Sequence, residues 1–297
     1  MTSETRFTLS FGGAASDESL IDLYDVSQAL IGFQRSIALT AHLVLNGKII
    51  TQAPSLKGAK IYAMPAAEGS WKMTAIVLAG ATGIYNLGTA QSNSPIGHLM
   101  FSLYDYVVSE SLGVHVDYNS TLGKLYDEAK RNKVRLPVVK ESQADSLIEK
   151  CSTAIREMHR PIYKTRTATD AVITGNYSGR ENKLKTTLTL ETFDFIHETR
   201  TADTPDVLEG RVSSYNSNTF KGRIYVAAFA RPVSFELQPN ARSQRSIRLI
   251  TTSLRHSALK RFNEPGSLVH CVAFQNMSRT GHLKSLTISK VSDAPFS

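Results

Sequence analysis

The chain has 297 residues, 41% of them hydrophobic and 20% charged, with a net charge of +8 and two cysteines, Cys151 and Cys271. This composition supports a sizeable buried core and a division into more than one domain, and it excludes disordered, collagen-like and disulfide-framework proteins. The opening MTSETRFTLS has no apolar signal segment, and the longest apolar run, 75–87, is about half the length a bilayer span needs, so a cytoplasmic protein with two inert thiols and no membrane contact is expected.

Residues 6–11 alternate polar and apolar and predict a strand, stopped by Gly12 and Gly13. A long helix follows, with Ser16 or Asp17 as its cap, acidic residues in its first turn, and an apolar stripe at Leu20, Leu23, Val26, Leu30, Phe33, Ile37, Ala41 and Val44. Gly47 ends it. Residues 48–52 read as a short strand, and 60–64 with 70–78 as the arms of a hairpin in which Trp71 anchors the core. The run 75–87 reads as a buried helix. Its glycine-rich stretch, with Gly80, Gly83 and Gly88, lets another backbone approach, which points to close helix packing between subunits of a homo-oligomer or larger complex. A helix is expected over 96–112, and two charged amphipathic helices over 124–133 and 142–158.

Beyond Pro205 the period changes to strict alternation. Strands are predicted at 207–215, 222–229, 233–237, 267–274 and 283–291, with helical spacing over 247–261 between the third and fourth. Five strands with one helix after the third is the layout of a small closed barrel of OB or SH3-like kind. The expected fold class is α+β: an N-terminal α/β domain over 1–120, a charged helical segment and connector over 121–206, and a basic antiparallel β-barrel over 207–297.

The opening strand, the Gly12-Gly13-Ala14-Ala15 break and the helix carrying Leu23, Val26, Ala29, Leu30, Gly32 and Phe33 resemble the start of a set of uncharacterised bacterial and prophage-encoded proteins. In those an α/β region precedes a five-stranded barrel. Pro65, Gly69, Ser70 and Trp71 fit their hairpin, and Gly210, Thr219, Gly222, Arg223 and Gly281 fit their barrel. The resemblance implies a bacterial or mobile-element setting, with anti-phage defence as its context, and supplies no activity.

The chemistry-bearing motifs are missing from the sequence. The eight histidines form no H-x-x-x-H or H-E-x-x-H pair, the two cysteines are far apart, and there is no G-x-S-x-G elbow or phosphate-binding glycine loop. No metal, cofactor or catalytic residue is expected. What stands out is charge. Residues 207–292 hold thirteen Lys/Arg against three Glu, whereas the rest of the chain holds twenty-one basic and twenty-three acidic residues. Arg242, Arg245 and Arg248 recur every third position, and Arg255, Lys260 and Arg261 extend them, with Arg223 in the barrel itself. Arginine's planar fork matches phosphate oxygens, and Tyr215, Phe220 and Tyr225 are placed to stack on bases. The expected function is non-enzymatic binding and assembly, with the basic barrel contacting nucleic acid or another polyanion. Two alternatives stand beside it: an adaptor subunit docking an acidic protein, and an enzyme whose site only the fold assembles.

Overall fold

A computed structural model describes residues 2–64, 71–80, 94–177 and 180–296. The chain divides into two compact units, Met1–Ile196 and His197–Ser297.

The first unit is built on a sheet of β1 (Thr2–Gly12), β2 (Ala59–Ala63), β3 (Lys72–Gly80), β4 (Asp170–Tyr177) and β5 (Arg180–Lys183), in the order β2-β3-β1-β4-β5. Every pairing among its described strands is antiparallel, without the parallel βαβ units that an α/β domain implies. Alternation along β1 turns Phe7, Leu9 and Phe11 into the core, with Arg6, Thr8 and Ser10 on the other face. Helices α1 (Leu23–Asn46), α2 (Pro95–Ser111), α3 (Lys124–Arg131), α4 (Glu141–Glu157), α5 (Arg160–Tyr163) and α6 (Leu190–His197) supply the rest of that core. Phe7 sits at its centre, edge-on to Tyr104 of α2 at 5.0 Å and parallel to Phe101 at 6.3 Å. Helices α1 and α4 touch through Gly32, where a Cβ would lie 2.3 Å from the Ala154 carbonyl oxygen. Phe11 packs edge-on to Trp71, which is partly buried against the same core.

Several expectations are corrected here. α1 starts at Leu23 because the Asp22 carboxylate accepts the Asp25 N–H (2.8 Å), while Ser16 and Asp17 belong to a separate 3-10 turn, Ala14–Glu18. Leu20 and Leu23 therefore lie outside the buried stripe and are exposed. Residues 48–52 form no strand; Ile49 and Ile50 pack on the core from irregular chain. The start of the apolar run 75–87 is strand, not helix: Ala75 through Ala79 are buried on both faces of β3, which erases the alternation that marks a strand. Gly80 is the last residue of that strand, paired with Thr2, so helix packing at Gly80 is overturned. Gly83 and Gly88 lie outside the described residues.

The segment 121–206 is not a connector. β4 pairs with β1 at the middle of the sheet, and α4 buries Leu147, Cys151 and Ile155 against its neighbours, so the unit boundary falls at 196/197 rather than at 120 and 206. His159 is fully buried there: its Nδ1–H donates to the Ile155 carbonyl (3.0 Å) and its Nε2 accepts from the Thr192 hydroxyl (3.0 Å). Burial pushes its pKa down to about 4, so the ring folds neutral. The unfolded chain binds a proton there below about pH 6.5, so the stability this neutral ring contributes is present above that pH and is lost as pH falls towards 4. Urea titrations of the whole chain between pH 7 and 4.5 should show the first unit weakening, and His159→Gln should flatten that slope whatever it does to stability at pH 7.

The second unit contains β6 (Arg200–Thr201), β7 (Asp206–Asn216), β8 (Lys221–Val226), β9 (Arg231–Leu237), α7 (Gln244–Ala258), β10 (Val269–Met277) and β11 (Leu283–Ser292). Five of these strands close into a ring, β7-β8-β9-β11-β10-β7, in which only β9 and β11 run parallel. With α7 between the third and fourth strands of the ring, this is the OB arrangement, and ring order decides between the two barrel kinds the strand count allowed. The interior is filled by Val212, Ile224, Val233, Phe235, Val269, Leu286 and Ile288, with Ile250 of α7 against them. Gly222 lets β8 lie close against β7 next to its register shift, since a Cβ there would stand 2.2 Å from the Ser214 carbonyl oxygen.

A register shift between Val212 and Ser214 takes the Val212 N–H out of the ladder. It donates instead to the Ser253 hydroxyl of α7 (3.0 Å), which itself donates to the Ser267 carbonyl (2.7 Å). Ser253 is fully buried, so Ser253→Ala leaves two buried backbone groups unpaired and should cost the barrel roughly 1–3 kcal/mol. Denaturant unfolding followed by a probe in each unit should show the barrel transition shift and the first unit's stay.

Candidate nucleic-acid interface

The charge excess belongs to the second unit, though it is smaller than the 207–292 window suggests. Glu198, Asp203, Asp206 and Asp293 lie just outside that window, and His197–Ser297 holds fourteen basic and seven acidic residues. The regular Arg242, Arg245, Arg248 spacing does not make one cluster. Arg242 precedes α7 and is fixed to the barrel: its Nε donates to the Leu237 carbonyl (2.9 Å), its guanidinium lies 4.6 Å over the Phe220 ring, and Nη2 is 3.6 Å from Glu236. Arg245 pairs with Asp293 at 3.0 Å, and Arg248 is near enough to act on the same carboxylate. Arg223 is buried at 3% exposure and offers no accessible charge. Tyr215 is also no stacking platform; its ring lies parallel to Phe235 at 6.4 Å as part of the core, and burial raises its phenol pKa.

The remaining candidates converge at the other end of α7. Arg255 lies in its last turn, Lys260 and Arg261 follow it, and all three are exposed and form no ion pair with a described residue. Fifteen residues at 1.5 Å each separate the helix ends by roughly 20 Å, so these cations are distinct from those at Arg245. Next to them, Phe262 is 45% exposed. The guanidinium of Arg211 lies 4.8 Å from the centre of the Phe262 ring and 5.8 Å from that of Tyr225. Arg211 and Tyr225 face each other across β7 and β8, and two further bonds hold the corner: Ser267 Oγ donates to the Phe262 carbonyl (2.8 Å) and the Arg261 N–H to the His256 carbonyl (2.9 Å). A cation set against two rings, with three exposed cations near it in the chain that pair with no described residue, offers flat surfaces for a base and charge for its phosphates.

Arg211 and Phe262 were absent from the sequence-based candidates. Phe262 was accessible, since it directly follows the Lys260-Arg261 pair, whereas Arg211 falls opposite Tyr225 only because of the register shift between Val212 and Ser214; a hairpin closed at 217–220 without that shift would set Arg211 opposite Val226.

The first unit offers less chemistry. A cleft between the start of α2 and α3 brings His98 towards Glu128, but burial lowers the His98 pKa against the opposing effect of the carboxylate. Among the described residues no group of three His, Cys, Asp or Glu side chains could hold a metal ion, and no helix is long and apolar enough to cross a membrane.

Fold and surface together define a two-unit protein in which an antiparallel-sheet α+β unit precedes a basic OB-type barrel. Residues 7–197 match the domain of unknown function DUF7946, and the chain belongs to that family; residues 204–292 match a second model, the family of unknown function DUF7947. The two matches meet where the compact units divide. No curated protein and no solved structure matches the chain.

Proposed function

We propose that the second unit is a single-stranded nucleic-acid-binding module and that the chain is a non-enzymatic binding protein. The observation that carries this reading is the Arg211–Tyr225–Phe262 cluster lying beside Arg255, Lys260 and Arg261 on an OB-type barrel. An exposed phenylalanine backed by an arginine presents a flat face to any base, and three exposed cations that pair with no described residue suit the strand's phosphates. The buried thiols Cys151 and Cys271, both pushed up to about 12 by burial, fit a reducing cytoplasm. A bacterial or prophage setting, and a role in defence against phage, rest on the sequence resemblance alone.

The test is fluorescence anisotropy of the full chain with labelled random-sequence single-stranded RNA and DNA across a salt series. Three phosphate contacts on a single strand give a slope of about −2 in log affinity against log salt. Absence of binding at low salt, or equal binding to an acidic polypeptide of matched charge, overturns the reading in favour of an adaptor that docks an acidic protein.

A further inference from the structure

The start of α1 and the irregular chain just before it expose large apolar side chains. Leu20 is 61% exposed, Leu23 79%, Tyr24 65% and Ile31 59%, which together amount to roughly 500 Å², at the upper end of the apolar patches seen on monomeric proteins. Within the helix, positions 24, 27 and 31 are spaced three and four apart, the rhythm of a coiled-coil seam, with Ser27 as the small residue between Tyr24 and Ile31, while Leu20 lies in the irregular chain before the helix. The seam is short because from Ser36 to Val44 every residue of α1 is buried in the unit's own core.

We propose that this face is a homodimer interface, in which α1 of one copy packs antiparallel on α1 of a second about a twofold axis near Ser27. The pattern is complementary to itself in that direction. Around position 27, Tyr24 of one copy meets Ile31 of the other, and the small Ser27 side chains let the helices cross closely. Charge selects the same orientation. Asp22 caps the start of α1, Asp17 and Glu18 stand in the 3-10 turn before it, and Arg35, whose Nη2 donates to the Thr51 carbonyl (3.1 Å), stands one turn beyond Ile31. A parallel pair would bring the acidic ends together, whereas the antiparallel pair places them beside Arg35 and opposes the helix dipoles. Area sets the strength. The apolar row falls short of the roughly 800 Å² per partner of a standard interface, so the polar rim of Gln28 and Gln34 must contribute and the dimer is of micromolar affinity.

Sedimentation velocity of the full chain across the micromolar range should show a concentration-dependent monomer–dimer equilibrium. Ile31→Glu should abolish the dimer without changing the melting temperature, because Ile31 is exposed in the folded chain. Ser27→Cys should form a disulfide between copies under mild oxidation, since Cys151 and Cys271 are buried and do not compete. Charge reversal locates the orientation: Glu18→Arg and Arg35→Glu should each weaken the dimer, and the pair together should restore it. A chain that sediments as a monomer throughout overturns the proposal and leaves the face to a different protein. A dimer that survives Ile31→Glu, or that does not cross-link at position 27, overturns it too.

Discussion

Phe7→Ala should destabilise the first unit by roughly 3–5 kcal/mol, the range for removing a fully buried phenylalanine. Phe7 lies on the central strand, flanked by β3 and β4, and is stacked on Phe101 and edge-on to Tyr104, so neighbours on three elements must collapse to fill the space. Tyr104 is itself tied down: its hydroxyl is 2.9 Å from the Ser36 hydroxyl of α1, which limits how far it can move into the cavity. The loss should be confined to one transition. Val212, Phe235 and Ile288 form a separate core in the second unit, so calorimetry should show the first unit melting far earlier and the barrel unchanged. A single transition that moves as a whole would show that the two units unfold together.

The second large effect is on binding. Replacing Arg255, Lys260 and Arg261 by glutamine together with Phe262→Ala should cost the complex on the order of 4 kcal/mol, about a thousandfold, from one stacked base and three phosphate contacts. The parts are separable. Phe262→Ala alone should lower affinity at every salt concentration and leave the salt slope as it was, whereas the three glutamines should flatten the slope. Stability should barely change, because all four side chains are exposed and the three cations form no described ion pair. Arg242→Gln makes the contrast. That guanidinium is bonded to the Leu237 carbonyl and lies over Phe220, so its loss should weaken the barrel and leave affinity nearly intact.

The barrel was legible in the sequence because its strands are buried on one face and alternate cleanly, as in Val233, Phe235 and Leu237 against Ser234 and Glu236. β3 was legible only in part, since Ile76 and Leu78 are buried as well as Ala75, Val77 and Ala79, and a run without polar positions reads equally as a helix. β4 was missed although Ala171, Ile173 and Gly175 do alternate with Val172, Thr174 and Asn176; the charged helices before it coloured the whole segment as surface. The candidate site was half legible. Arg255, Lys260 and Arg261 were named from charge, but charge counts carry no information on pairing, so Arg242, Arg245 and Arg223 were placed with them although the fold pairs or buries each one. Arg211 becomes visible only through the register that sets it opposite Tyr225.

Photo-crosslinking tests the central claim most directly. A single-stranded RNA carrying 4-thiouridine, bound to the full chain at low salt and irradiated, should attach to the segment that follows Arg261, at Phe262, with Tyr225 as the second site. The crosslink should disappear with Phe262→Ala. Crosslinks confined to residues 2–196, or to the Phe220 and Arg242 side of the barrel, would contradict the account.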